Sequence, residues 1–234
     1  MNLGAHRNVR LHFVLVFIVL GTSAVAANAE PPTYPDFASA LKAADAAPNF
    51  NQAEPIYNSL PSYSMTCQDA RAAYDWLNNV KLDASNDGQM QVASRRAGSV
   101  AKALARATSS DCHEFIAKTL KAESRWLLIG DMSQMVKEAA GSRKGLFESA
   151  VKSERIRAVI AAAGNGKNEK AIETLRSIQK HGGFFSEPAV YAIGHIGHAE
   201  DLDRFIAILK KDPRARLRIS EFGTPAIPRI MREV

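Results

Sequence analysis

The stretch 189-AVYAIGHIGHAEDLDRFIAIL-209 decides the fold, because it sets two apolar runs on either side of a Gly-His-Ile-Gly-His corner. Gly197 ends the first run, and a residue just past a helix C-terminus often takes the left-handed conformation, which glycine adopts without a Cβ penalty. Glu200 and Asp201 then fall in the first turn of the second run, where the helix dipole favours negative charge. The stretch therefore predicts two helices joined at a glycine elbow.

The same pattern recurs along the second half of the chain. Gly130, Gly164 and Gly223 also follow apolar helix ends, and a polar corner and a second amphipathic run come after each of them. No window combines period-two alternation with β-branched enrichment, so strands are not expected. The gaps between the four glycines are 34, 33 and 26 residues. Since similar units that recur at intervals of about 20–50 residues are typical of repeat architectures, the sequence predicts an all-α fold of stacked helical pairs.

Residues 187–230 show further marks of such a repeat. Acids open the second helix, an Asp-Pro step stops it, and an arginine follows: Glu200-Asp201, Asp212-Pro213 and Arg216. The pattern resembles HEAT-type repeats of the short, bacterial phycobilin-lyase-like kind, over roughly residues 146–234. The resemblance implies a short helical solenoid whose extended surface holds a partner.

The first thirty residues resemble an export signal. Arg7 and Arg10 precede an apolar run over residues 11–20, and Ala27-Asn28-Ala29 matches a small-residue cleavage site. We therefore predict a cleaved signal peptide over residues 1–29 and a periplasmic or secreted protein. The alternative is that this segment is not cleaved and anchors the protein in the membrane. We predict no other membrane contact.

Three regions follow the signal. For residues 30–64 we predict an extended, Pro-rich leader with one short helix at Phe37–Ala46. For residues 65–145 we predict a helical region, and for residues 146–234 the HEAT-like repeats. The leader's predicted packing residues are Phe50, Ile56, Tyr57 and Leu60. The candidate helices of the middle region are Cys67–Asn79, Gln89–Ala107, Asp111–Ile129 and Ser133–Ala140.

Cys67 and Cys112 are the two cysteines of the chain. In an oxidising compartment an isolated pair favours a disulfide over a redox centre. Both follow helix-start signals, among them the capping box Thr66-Cys67-Gln68-Asp69. Because a helix N-terminus lowers the pKa of a thiol, a reactive cysteine is the alternative.

The charge distribution favours an acidic or cell-envelope protein partner. The net charge is +6, and residues 91–234 hold twenty-five bases against sixteen acids. An exported protein seldom meets nucleic acid, so we predict no nucleic-acid partner. The candidate binding residues on one side of the helical stack are Arg155, Arg157, Arg214, Arg216 and Arg218. Arg155 and Arg157 do not share a helix face, so at most one of them points at a ligand.

The segment 181-HGGFFSEP-188 adds two aromatic candidates, Phe184 and Phe185. One interpretation is a loop whose rings pack beside a helix start at Ser186. The other is an exposed aromatic anchor for a partner.

Two catalytic or metal-binding interpretations remain. His195 and His198, three residues apart, are a candidate metal pair, although Gly197 between them ends the helix. The segment 122-AESRW-126 resembles the Glu-Ser step of lytic transglycosylases, which implies Glu123 as the general acid of a peptidoglycan-cleaving glycosidase. No cofactor motif is present in the sequence. We predict a non-enzymatic binding or scaffold protein, with that glycosidase as the alternative.

Overall fold

The structure, a computed structural model, describes residues 33–80, 87–128, 143–198, 200–202 and 206. Across these ranges the regular elements are helical and no strand is present, which confirms the all-α prediction for the described part of the chain. The α-helices are α1 (Phe37–Ala46), α2 (Phe50–Ser59), α3 (Cys67–Asn79), α4 (Asp87–Leu104), α5 (His113–Leu128), α6 (Arg143–Asn165), α7 (Ile172–His181) and α8 (Ser186–Ile196). Short 3-10 helices span Leu60–Ser62, Ser110–Cys112 and Glu169–Ala171.

Capping side chains set the first helix starts. Asp36 accepts a hydrogen bond from the backbone N–H of Ser39 at 2.7 Å, and α1 has the predicted bounds. Before α3, Thr66 accepts from the N–H of Asp69 at 3.1 Å while Asp69 accepts from the N–H of Thr66 at 3.0 Å. The predicted capping box is thereby confirmed, and so is the predicted extent of α3.

The prediction of an extended leader between α1 and α3 is wrong. Asn49 accepts a hydrogen bond from the N–H of Gln52 at 3.1 Å and starts α2, which continues through Pro55. Proline removes the hydrogen bond to the carbonyl four residues earlier, but Asn51 is exposed, so water can reach that carbonyl. The predicted packing holds for Ile56, Tyr57 and Leu60, which are buried, whereas Phe50 remains 40% exposed.

The glycine elbow at Gly197 is confirmed. Its backbone has φ +85° and ψ +27°, and its N–H donates to the carbonyl of Ile193 at 3.0 Å as α8 ends. A helix resumes at Glu200. Gly130 and Gly223, the other predicted elbows besides Gly164, lie outside the described residues.

The elbow predicted at Gly164 is wrong. Gly164 is buried within α6, and the left-handed residue is Lys167, with φ +50°. A Cβ built on Gly164 would lie 2.5 Å from the Cα of Ala192 in α8. Glycine is therefore required at this position by the close approach of two helices rather than by a turn.

The long helix α6 is the centre of the packing. It packs against α3, α4 and α5 as well as α8, while α7 packs against α5 and α8. Its fully buried residues include Ile156, Val159 and Ile160. The predicted region boundary after residue 145 therefore falls inside a helix that joins the earlier helices to the later ones.

The buried side chain of Asn168 holds the α6–α7 turn on the start of α5. Its Nδ2 donates to the carbonyl of His113 at 2.8 Å, and its Oδ1 accepts from the N–H of Lys170 at 3.2 Å.

No described helix is long and apolar enough to cross a membrane.

Gly197→Ala should lower the free energy of unfolding by about 1 kcal/mol, because alanine in the left-handed region is strained. The strain is purely conformational, since the nearest atom to an added Cβ is the carbonyl oxygen of Gly194 at 3.8 Å. Gly197→Asn is the control, because asparagine tolerates this conformation better. Urea unfolding measures both variants, and equal stability of Gly197→Ala and the parent chain would contradict the elbow.

Candidate binding groove between α6 and α8

An open groove of about 550 Å³ runs between α6 and α8. Helix α6 contributes one wall, and the α7–α8 turn and α8 contribute the other. The side chains that give it its chemical character are Arg157, Asn165, Phe184, Pro188, Tyr191 and His195. The groove combines aromatic surface with one arginine, one glutamate (Glu187) and several hydrogen-bonding groups, a composition that suits a protein segment.

Arg157 and Phe184 contact each other in the lining of the groove. The guanidinium carbon lies 4.1 Å from the centre of the Phe184 ring, within the range of a cation–π contact. Phe184 is 37% exposed, whereas Phe185 is buried and meets it edge-on at 5.1 Å between ring centres. Each of the two interpretations of this segment therefore fits one ring. Phe185 packs inside the protein, and Phe184 lies at the surface.

Two positive-φ glycines allow this arrangement. Gly182 and Gly183 both have φ +80°, and a Cβ on either would meet no atom within 4 Å. The chain reverses here after α7. Helix α8 starts at Ser186, as predicted, and no side-chain hydrogen bond caps it; the Ser186 hydroxyl donates instead to the carbonyl of Gln179 at 3.3 Å.

Polar pairs line the rest of the groove. His195 Nδ1 lies 3.1 Å from Asn165 Oδ1, which links α8 to the end of α6. The Tyr191 hydroxyl donates to Glu187 Oε1 at 3.5 Å along α8. Tyr191 and Asn165 were not predicted, although the spacing of Glu187, Tyr191 and His195 by four residues was a signal that they share one helix face.

Arg155 takes the opposite direction to Arg157. It is buried, and its Nε and Nη2 donate to Glu123 Oε1 at 3.0 and 2.7 Å. Its Nη1 donates to Asn78 Oδ1 at 2.8 Å. Arg155, which the sequence analysis named as a candidate binding residue, is thus held in a buried ion pair, whereas Arg157 lines the groove.

Glu123 is the centre of that buried cluster. It is 5% exposed, and the same Oε1 also accepts from the Tyr74 hydroxyl at 2.7 Å. Burial and the Glu123 carboxylate raise the pKa of Tyr74, so its hydroxyl stays a donor. The structure thus places Glu123 between α3, α5 and α6 as a hydrogen-bond acceptor, away from the surface that a wall polysaccharide would reach.

The predicted histidine pair is not assembled as a metal site. His195 faces Asn165, whereas His198 pairs through Nε2 with Glu169. The neighbouring acid Asp201 accepts from Arg176 at 3.0 and 2.8 Å. Among the described residues, the cluster with metal-ligand spacing is instead Cys67, Asp111 and Cys112.

The two cysteines are brought together, as predicted, but as thiols. Their sulfurs and a carboxylate oxygen of Asp111 all lie within 4.8 Å of one another. Three of the predicted binding arginines, Arg214, Arg216 and Arg218, lie outside the described residues.

Comparison with protein families, characterised proteins and solved structures finds no match for this chain. The function must therefore be argued from the geometry above.

Proposed function

We propose that this chain is a non-enzymatic binding protein, which holds an extended acidic segment of a protein partner in the groove between α6 and α8. The observation that carries the proposal is the partly exposed Phe184 ring under the Arg157 guanidinium, in the lining of a groove of about 550 Å³. Aromatic and arginine side chains are the residues most enriched among binding hot spots.

Two charged groups line the groove, Arg157 and Glu187, and we propose that the acidic segment binds through the Arg157 guanidinium. Arg157 pairs with Glu154 at 3.7 Å, where both side chains are partly exposed, at 40% and 48%. An exposed pair at this distance is weak, so a carboxylate that approaches the stacked guanidinium meets little competition. A planar guanidinium also matches a carboxylate in geometry, which a lysine does not.

The helix order supports a HEAT-like stack as the frame of this groove. Helix α8 packs on both α6 and α7, and residues 200–202, after the Gly197 elbow, are again helical. Stacked helical pairs of this kind present long surfaces to partners. We also propose that the protein is exported, because residues 1–29 resemble a signal peptide.

Arg157→Glu and Phe184→Ala should each weaken binding of an acidic peptide at least about tenfold, the loss expected of a hot-spot residue. The ligand is chosen by display selection from a random peptide library on the parent chain. The matched controls are Phe50→Ala, an equally exposed phenylalanine at 40%, and Arg95→Glu, the same charge change on α4. Fluorescence anisotropy measures the dissociation constants. Selected peptides without acidic residues, or equal losses in the controls, would contradict the proposal.

A peptidoglycan digestion assay separates this function from the glycosidase. The proposal predicts no released wall fragments from either the parent chain or Glu123→Gln. Release by the parent chain would contradict the proposal, and its loss in Glu123→Gln, in a sample that circular dichroism shows to be folded, would assign the cleavage to Glu123.

A further inference from the structure

The thiol pair lies where two helices begin. Cys67 is the first residue of α3, and Cys112 ends the 3-10 helix that leads directly into α5. Cys112 is fully buried, while Cys67 is partly exposed. The sulfurs are separated by no more than 4.8 Å, a gap that small side-chain movements can close to a bond of about 2 Å.

The surroundings of Cys112 argue against Cys112 as the thiol that attacks an external oxidant. Burial, the Cys67 thiol and the Asp111 carboxylate raise the pKa of the Cys112 thiol to about 12. Reactive cysteines have lowered pKa values and exposed sulfurs. Of the two alternatives that the sequence left open, the structural one fits this site.

We propose that Cys67 and Cys112 are the site of a disulfide that joins the start of α3 to the start of α5. The bond forms by exchange with a disulfide oxidant, such as glutathione disulfide. Cys67, the accessible sulfur, loses its proton and attacks the oxidant, which yields a mixed disulfide and one glutathione. Cys112 then loses its proton and attacks the Cys67 sulfur, and the second glutathione leaves. Two thiols are oxidised and one glutathione disulfide is reduced.

The disulfide fastens the pair of helices that carries the buried cluster. Tyr74 and Asn78 lie on α3, and Glu123 lies on α5, where both helices meet Arg155 of α6. A covalent link at the start of α3 and α5 therefore limits the separation of the groups that satisfy the Arg155 charge. The link also closes a loop over α3 and α4, which restricts the unfolded chain.

The test uses the full chain, equilibrated in glutathione buffer. After unfolding, no thiol should titrate, and the mass should be lower than that of the reduced chain by two hydrogens. Reduction with dithiothreitol should lower the melting temperature by about 10 °C. Cys67→Ser and Cys112→Ser are the matched controls, and their melting temperatures should not respond to dithiothreitol.

Three results would overturn the inference. Two titrating thiols at equilibrium would mean that the bond does not form. Stable glutathione adducts on both cysteines would mean that the sulfurs cannot meet. Equimolar zinc that the reduced chain retains through dialysis, with thiols that then resist glutathione disulfide, would assign the three-residue cluster to a metal.

Discussion

Glu123→Gln is expected to lower the free energy of unfolding by about 3–5 kcal/mol, the usual cost of removing one partner from a buried ion pair. The variant keeps the size of the side chain but leaves the Arg155 guanidinium, which is 9% exposed, without its counter-charge. It also leaves the Tyr74 hydroxyl, which donates to the same oxygen, with a weaker acceptor. Urea unfolding followed by circular dichroism measures the change.

The matched control is Glu114→Gln on the same helix. Glu114 pairs with Lys118 at 3.2 Å and Lys170 at 2.8 Å, but all three side chains are more than half exposed. Exposed pairs contribute little, so the control should unfold like the parent chain.

A double variant distinguishes the cost of one unpaired buried charge from the cost of losing the packing of these two side chains. The double variant Glu123→Met/Arg155→Met removes both charges, and we expect it to be more stable than Glu123→Gln. Full stability of Glu123→Gln, or a double variant that is less stable than Glu123→Gln, would contradict a structural ion pair at this position.

Gly164→Ala should destabilise the protein by about 1–3 kcal/mol, the cost of forcing extra volume into a packed interface. The added Cβ would lie 2.5 Å from the Cα of Ala192 and 2.8 Å from its Cβ. Since the nearest atom is backbone, no side-chain rotation relieves the clash, and α8 must move away from α6. The same variant should weaken peptide binding, because Ala192 also lines the groove.

Gly98→Ala is the opposite case within the same fold. Gly98 lies in the interior of α4, and a Cβ there meets no atom within 4 Å. Alanine should therefore stabilise the chain by up to about 1 kcal/mol through its helix propensity. A stabilised Gly164→Ala would show that α6 and α8 do not approach as closely as the structure has them.

The features that could be predicted from the sequence are those set by residues close together in the chain. The capping box at Thr66 and the left-handed cap at Gly197 each depend on residues within four positions, and both are confirmed. Gly164 has the same local pattern of an apolar run before a glycine. Glycine is required there, however, by the close approach of Ala192, twenty-eight residues later. A sequence reading alone does not separate a turn glycine from a packing glycine.

The same distinction explains the outcome at the site. The segment around Phe184 was predicted as an aromatic feature, yet its exposure depends on which of two adjacent rings turns inward. Arg155 and Arg157 are likewise indistinguishable in sequence until the partners of Arg155 on α3 and α5 are known. The prolines of residues 30–64 predict an extended chain, whereas burial of Ile56 and Tyr57 in α2 outweighs the hydrogen bond that Pro55 lacks.

Backbone hydrogen exchange, with and without the selected acidic peptide at saturation, tests the central claim most directly. The account predicts slower exchange over residues 183–195 and over the end of α6 from Arg157 onward, since these residues line the groove. Helices α1 to α3 should be unchanged. Protection confined to those first helices, or an unchanged α8 in the saturated complex, would contradict the groove as the binding site.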